Sequence, residues 1–441
     1  MLLAITIFIL VAFILLGLPI VFAFGGALLF AVVTMDLNVG ALLPSGYSRL
    51  NTVVLLAIPL FIVAGGIMER GQLGDRLVKF INLLVGRFTG GLGAVGVTAC
   101  AIFGAISGSA AATLSCIGSI MFPQLERAGY ERGHAVSLIV CASPLGLLIP
   151  PSSIQILYAW SANQSVLVCF LSTVGPGLLL TLLLCVVNWF ICRGAGYAAK
   201  KAEKGSDSAS MSMMVNETPG QITMSALPAL LMPIIILGGI YSGKFTPTEA
   251  AAVSAVYAVP VGFWIYKTLT VKSFFEALRT SGVTCGVLMS MLLIVMILSR
   301  VFVMQGLPQA IMGLFQYIST DKLAILLMIN VFMVIIGMLM DDVSGTLLCT
   351  PLLLPIIVAL DVSPIQFAAI LGVNLGMGNI TPPTAPLLYL GGRLGNAGVK
   401  QMTRPTLWLI AFAWLPTLAV TTYWPPLSLW LPSQFIGRPL W

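Results

Sequence analysis

The sequence predicts an all-α polytopic membrane protein built as an inverted repeat, with two re-entrant hairpins and interfacial arm helices. Three observations carry that prediction. Of 441 residues, 59% are apolar and 8% charged, with a mean hydropathy of +1.06. A water-soluble chain of this length needs more charge to cover its surface. Several apolar runs exceed the ~18–20 residues that span a bilayer as helix, and they run continuously where a β-barrel strand would alternate. Finally, Gly146-Leu-Leu-Ile-Pro-Pro-Ser-Ser153 and Gly378-Asn-Ile-Thr-Pro-Pro-Thr-Ala385 repeat one pattern 232 positions apart, and Pro123 falls on Pro355 at the same offset. A Pro-Pro pair inside an apolar segment breaks the helix and frees carbonyls that need partners. Such breaks at matching places in two halves point to a transporter binding site.

The first half, residues 1–192, is justified element by element. The opening apolar run has no basic leader and is too long for a signal-peptide core, so residues 3–32 are expected as a retained span. Residues 33–52 are expected as a loop, and 53–68 return. Glu69 to Val85 alternate charge and apolar residues at helical spacing, which suits an interfacial arm. Residues 91–123 are Gly-rich with Ser107-Gly-Ser109 at their middle. If this segment crossed the membrane, the basic loop at 126–133 would face away from Arg70, Arg76, Lys79 and Arg87. If it turns back at Gly108, the basic stretches share one side, as the positive-inside rule prefers. A hairpin at 91–123 follows, then a Pro-Pro helix at 134–160, an uncharged turn and a return over 166–192.

A polar linker, 193–222, separates the halves. The second half, 223–441, is expected to repeat the plan upside down. It has spans at 223–241, 248–266 and 281–299, an inner amphipathic stretch at 267–280 and an outer arm from Arg300 to Lys322. The second hairpin is placed at 323–360, broken at Asp341-Asp-Val-Ser-Gly345, the second Pro-Pro helix at 364–390, and a last span at 405–430. Under this topology 16 of the 21 Lys and Arg fall on one side, which predicts a cytoplasmic N-terminus and a periplasmic C-terminus in a bacterial inner membrane.

No Lys or Arg remains for the spanning segments. Hydroxyls and broken backbone do remain: Ser107, Ser109, Thr113, Ser152, Ser153, Ser344, Thr346, Thr350, Asn374, Asn379, Thr381 and Thr384. Helix N-termini at hairpin tips suit a carboxylate, and unwound carbonyls suit Na⁺. A single Ser in a membrane helix more often bonds back to its own helix; clustering at a hairpin apex and two Pro-Pro breaks favours a site. Asp341 and Asp342 lie deep in an apolar run, where a charge costs roughly 3 kcal/mol on insertion scales. They are read as a cation or proton site, as a helix N-cap, or as both. His134 is read as an interfacial residue. Thr246, Pro247 and Glu249 form a helix-start box. Eight Cys, none in a C-x-x-C pair, argue against a metal site or a disulfide framework, and the net charge of +7 reflects loop placement, not nucleic-acid binding.

At these residues the chain resembles the large membrane subunit of the tripartite ATP-independent periplasmic (TRAP) transporters. The matching stretches are Leu56-Ala-Ile-Pro-Leu-Phe61, Ala64-Gly-Gly-Ile-Met68, Ile106-Ser-Gly-Ser-Ala110, Ile149-Pro-Pro-Ser152, Phe245-Thr-Pro-Thr-Glu-Ala250, Gly337-Met-Leu-Met-Asp341 and Thr381-Pro-Pro-Thr384. They cover nearly the whole chain in the family's order. The resemblance implies an elevator-type secondary transporter driven by Na⁺ as coupling ion, with no other cofactor. It also implies a periplasmic solute-binding protein that delivers a carboxylate, and a small four-helix membrane subunit that pairs with this one. Hairpins and Pro-Pro helices would move; arms and remaining helices would stay. Carried over by motif, the substrate would meet Ser107, Gly108, Ser109, Thr113, Pro150, Pro151, Ser152, Asn379 and Thr381. Na⁺ would be held around Ser107, Ser109, Gly337, Asp341, Gly345, Gly378, Thr381, Pro382 and Thr384. Sialic-acid members carry Asp where this chain has Thr113, which mildly favours a small dicarboxylate here.

Two other classes stand against this reading. A related sodium–anion symporter would need no binding protein. A membrane enzyme would need a catalytic constellation, and the chain has no H-E-x-x-H, no Cys/His cluster and a single His.

Overall fold

A computed structural model of the chain describes residues 2–86, 90–194 and 218–437. Arg87 and Arg438, with most of the 193–222 linker, lie outside the described residues. Every regular element among those described is helical. Among the described residues, eight helices are long and apolar enough to cross a membrane, or nine if the bent pair Arg132–Leu148 and Ser153–Ser161 is one span. Large apolar side chains such as Phe22 and Trp264 stand outward, 69% and 74% exposed, which suits a lipid environment and not water.

Several expectations are corrected. Residues 3–32 are not one span but two helices, Leu2–Leu15 and Ile20–Thr34, folded back at Gly17-Leu-Pro19. Gly17 takes φ +79°, Pro19 cannot continue the helix, and the Phe13 ring packs where a Cβ on Gly26 would sit. The expected loop at 33–52 contains a helix, Val39–Leu50. The stretches 267–280 and 281–299 are a single 34-residue helix, Val271–Met304. Nothing between them breaks a helix: Gly282 and Gly286 face open space, and a charged amphipathic start is no stop signal. The final span ends at Tyr423, because Trp424-Pro425-Pro426 start a separate helix, Pro426–Ile436. The linker is shorter than expected, since Pro219–Tyr241 already begins inside it on a capping box from Thr218 and Gln221.

The arm expected from Glu69 onward is the helix Leu73–Val85, whose Leu73, Leu77, Val78 and Ile81 face inward. It leans on Gly91–Ser107 and Pro219–Tyr241. A scaffold forms where Ala57–Arg70 packs against Pro247–Pro260 and Val271–Met304. Thr246 and Glu249 do form the helix-start box: each backbone N–H donates to the other's side chain, at 2.8 and 3.3 Å. The neighbouring Thr248 hydroxyl ties it to the Val53 carbonyl.

Two helical hairpins and two broken helices pack against one another, and Asp342–Ala359 also packs on Val271–Met304. Gly91–Ser107 and Ala110–Arg127 fold together, so that the Tyr130 hydroxyl reaches Gly93 N–H at 3.2 Å. Lys322–Leu339 and Asp342–Ala359 do likewise, with Lys322 Nζ on the Asp361 carbonyl at 3.2 Å. The first Pro-Pro helix bends 43° at its break. Its bonds to the second half include Gln155 to the Ala368 carbonyl, Tyr158 to that of Pro364, Ser137 to that of Met402, and Trp414 to the Cys141 carbonyl. His134, at the helix start, is buried: its ring stacks on Tyr130 and its Nε2 meets Asn188 Oδ1 at 3.2 Å.

Candidate functional site

The first hairpin turns at Gly108, whose φ of +61° suits glycine. A Cβ there would also lie 2.9 Å from the Pro151 carbonyl oxygen, so tip and Pro-Pro break touch backbone to backbone. The Gly108 carbonyl accepts from the Ser153 hydroxyl at 3.0 Å and from its N–H at 3.4 Å. Ser109 caps the second helix of the hairpin, its Oγ accepting from Ala112 N–H. Behind the tip, Thr113 Oγ1 donates to the Ser109 carbonyl at 2.8 Å and meets Ser107 Oγ at 3.1 Å.

The second tip is built on acids. Asp341 is the N-cap of Asp342–Ala359. Its carboxylate accepts from Val343 N–H at 3.2 Å and from the Ser344 hydroxyl. Asp342 accepts from Asn379 Nδ2, and the Thr384 hydroxyl donates to the Met338 carbonyl. Each tip is therefore latched to its own Pro-Pro break. Backbone approach allows the latches: a Cβ on Gly104 would fall 2.4 Å from Gly146 Cα, and one on Gly378 2.6 Å from Gly337 Cα. Both Pro-Pro bonds, Pro150–Pro151 and Pro382–Pro383, are cis.

The tips converge on a cavity of about 430 Å³, within the ~300–1,000 Å³ of small-ligand sites. Ser107, Ser109 and Ser153 enter it from the first unit, and Asp341, Asp342 and Asn379 from the second. The scaffold closes it with Glu69, Thr280, Ser281 and Thr284. Glu69, Thr280 and Ser281 also line a wider vestibule that reaches Arg70 and Asp75.

Of the residues expected to meet substrate, Ser107, Ser109 and Asn379 line this cavity. Gly108, Thr113, Pro150, Pro151 and Ser152 sit buried behind it. Thr381 bonds back to the Met377 carbonyl at 2.6 Å, as a membrane-helix Thr commonly does. Of the residues expected to hold Na⁺, Asp341 joins Ser107 and Ser109 at the cavity. Gly337 and Gly378 pack against each other, Gly345 lies under Leu375, and Pro382 and Thr384 belong to the turn. Thr346 and Thr350 likewise serve their own helix. Ser152 Oγ, Asn374 Oδ1 and Asn379 Oδ1 are buried with no partner among the described residues, and a buried acceptor without a donor invites a ligand. Sequence reasoning missed Glu69 and the scaffold hydroxyls. The signal was present: Thr280 and Thr284 stand one turn apart, with Ser281 beside them, where the helix passes from its charged start into its apolar run.

Comparison with known proteins places the chain. The family described as tripartite ATP-independent periplasmic transporter, DctM component, matches residues 7–427. The chain is 33% identical to the sialic acid TRAP transporter large permease protein SiaM of Vibrio cholerae, covering 93% of each. It is 35% identical to the C4-dicarboxylate TRAP transporter large permease protein DctM of Pseudomonas aeruginosa, covering 86% of each. It is 32% identical to the isethionate TRAP transporter permease protein DctMQ of Oleidesulfovibrio alaskensis over 96% of this chain, but spans only 65% of that longer protein. The crystal structure of the Alcanivorax borkumensis YdaH transporter superposes with a TM-score of 0.61 over 90% of this chain and 88% of the other, at 13% identity, which speaks to fold alone. With hairpins, Pro-Pro breaks and near-full-length matches in agreement, the chain belongs to the DctM component family, the large permease subunits of TRAP transporters.

Proposed function

We propose that this permease carries a small organic acid, a C4-dicarboxylate or a related carboxylate, across the membrane together with Na⁺. Charge is the observation that supports the reading. Glu69, Asp341 and Asp342 line the central cavity, and among the described residues no Lys or Arg does. An anion alone would meet like charge there; two unit charges 6 Å apart repel by about 3 kcal/mol at an effective dielectric of 20. Cations relieve that repulsion. Carboxylate, hydroxyl and freed carbonyl oxygens suit a hard ion, while the N–H groups opening Ala110–Arg127 suit a carboxylate. Similar permeases are named for C4-dicarboxylate, sialic acid and isethionate, all organic anions.

How the parts are joined supports a mechanism. The hairpins and Pro-Pro helices, bonded through Gln155, Tyr158 and Trp414, move as one body against the scaffold, in an elevator cycle that exposes the cavity to either side. A small membrane subunit braces the scaffold, and a periplasmic binding protein delivers the solute. The test is uptake of a labelled C4-dicarboxylate into vesicles holding the permease with its small subunit. Uptake should need both an inward Na⁺ gradient and the added binding protein. Equal uptake in K⁺ would sink the coupling, and uptake without the binding protein would favour a self-sufficient symporter.

A further inference from the structure

Away from the central cavity, the helix that runs from Val399 through Tyr423 carries an open groove of about 610 Å³ on its outer face. Lys400 and Arg404 stand at one end. Leu407, Trp408 and Phe412 continue the same face, about half exposed at 49%, 49% and 52%. Trp408 and Phe412 stack with ring centres 5.0 Å apart, making a flat apolar wall. Neither cation has an ion-pair partner among the described residues. We propose that this groove binds one anionic phospholipid, its phosphate on Lys400 and Arg404 and an acyl chain along Leu407, Trp408 and Phe412.

Dimensions and charge argue for that occupant. From Arg404 to Phe412 the helix rises about 12 Å at 1.5 Å per residue, inside the ~15 Å depth of one hydrocarbon leaflet. Basic side chains at the head and apolar ones below match an anionic headgroup above its own chain. Lys400 also lies at the end of the molecule where Arg393 is exposed and adds positive charge; Arg132, which reaches the Asn396 carbonyl there, is paired with Glu126. The opposite face of the same helix is fixed to the first Pro-Pro helix: Ser137 donates to the Met402 carbonyl, Thr406 donates to Ser137, and Trp414 donates to the Cys141 carbonyl. A lipid here would sit on the body that holds the site, separated from it by one helix.

The test does not depend on transport. The full chain is reconstituted in equal parts phosphatidylglycerol and phosphatidylcholine, extracted in mild detergent, and its retained lipids are weighed by native mass spectrometry. Wild type should retain phosphatidylglycerol preferentially. Lys400→Gln with Arg404→Gln should cut that preference about 25-fold, at roughly fivefold per basic side chain near an anionic headgroup. The charge-keeping pair Lys400→Arg with Arg404→Lys should preserve it, and so should Lys272→Gln with Arg279→Gln, which removes two charges elsewhere. No preference in wild type, or an equal loss in the Lys272 and Arg279 variant, overturns the proposal. Displacement of the lipid by inorganic phosphate would reassign the site to a soluble anion. A photo-crosslinker at position 412 that captures a protein chain instead of phosphatidylglycerol would assign the groove to a protein partner.

Discussion

In the first Pro-Pro unit the hairpin tip is closed by neutral groups: Ser153 holds the Gly108 carbonyl, and Ser107, Ser109 and Thr113 bond one another. The second unit keeps the backbone plan at an offset of 232 residues, with Gly146 matched by Gly378, Pro150 and Pro151 by Pro382 and Pro383, and Ser109 by Asp341. Ser109 and Asp341 are both N-caps of the returning hairpin helix. The chemistry differs. Asp341 and Asp342 put two carboxylates at the second tip, and Asn379 reaches Asp342 where the first unit has Leu147. Duplicated backbone thus supplies the geometry twice, while side chains divide the labour: hydroxyls and N–H groups on one side, carboxylates on the other.

The largest effect expected from that division is on Asp341. Asn caps a helix about as well as Asp, so Asp341→Asn should leave the thermal midpoint of the protein close to wild type. Na⁺-dependent uptake should nevertheless fall at least about a hundredfold, since a cation ligand worth about 3 kcal/mol has gone. Ser109→Ala, at the matching neutral cap, should also abolish Na⁺-dependent uptake while the protein stays folded and membrane-inserted. Its cap bond is long, 3.5 Å, so the stability cost should stay below about 1 kcal/mol. Normal uptake by Asp341→Asn would reduce that residue to a cap.

Sidedness gives the next test. If the units are inverted, a Cys at Gln124 beyond the first hairpin should react with an impermeant maleimide from the cytoplasm. One at Ser363 beyond the second should react from the periplasm. Labelling of both from one side would make the repeat parallel and undo the inverted reading.

Packing at the two latches sharpens the comparison further. Gly104→Ala would place its Cβ 2.4 Å from Gly146 Cα, whereas Gly337→Ala would place one 3.1 Å from Gly378 Cα. Both neighbours are backbone and cannot swing away. Overpacking of this kind costs typically about 1–3 kcal/mol, so Gly104→Ala should lower the melting temperature clearly and Gly337→Ala less. Equal melts would mean that the two latches are equally tight.

Much of this was legible in the sequence because membrane physics leaves few choices. Apolar runs, Pro-Pro breaks and Ser107-Gly-Ser109 located the hairpins and the broken helices without any tertiary information, since unsatisfied backbone is tolerated only where protein or a cavity receives it. What stayed hidden depended on packing. The fold-back at Gly17-Leu-Pro19 was masked by an uninterrupted hydropathy run. Val271–Met304 was cut in two because amphipathicity marks a surface, not a helix end. Asn379 is a polar candidate by residue type, but its bond to Asp342 joins residues 37 apart. The role of Glu69 needed the scaffold to be brought against both tips. Gly146 and Gly378 stood out as the openings of the Pro-Pro motifs, but their backbone contacts with Gly104 and Gly337 depend on packing.

Ser152 offers the smallest and cleanest change. It is fully buried in the first Pro-Pro turn, and its hydroxyl has no partner among the described residues. Its counterpart in the second unit, Thr384, is already used on the Met338 carbonyl. Removing a hydroxyl that makes no bond relieves a buried polar atom of its desolvation penalty, so Ser152→Ala should match or slightly exceed wild type in thermal stability. If the hydroxyl instead waits for a cation, the variant should need a several-fold higher Na⁺ concentration for half-maximal uptake, with the maximal rate little changed. A stable variant with an unshifted Na⁺ dependence would remove Ser152 from the site and leave ion binding to the acidic unit.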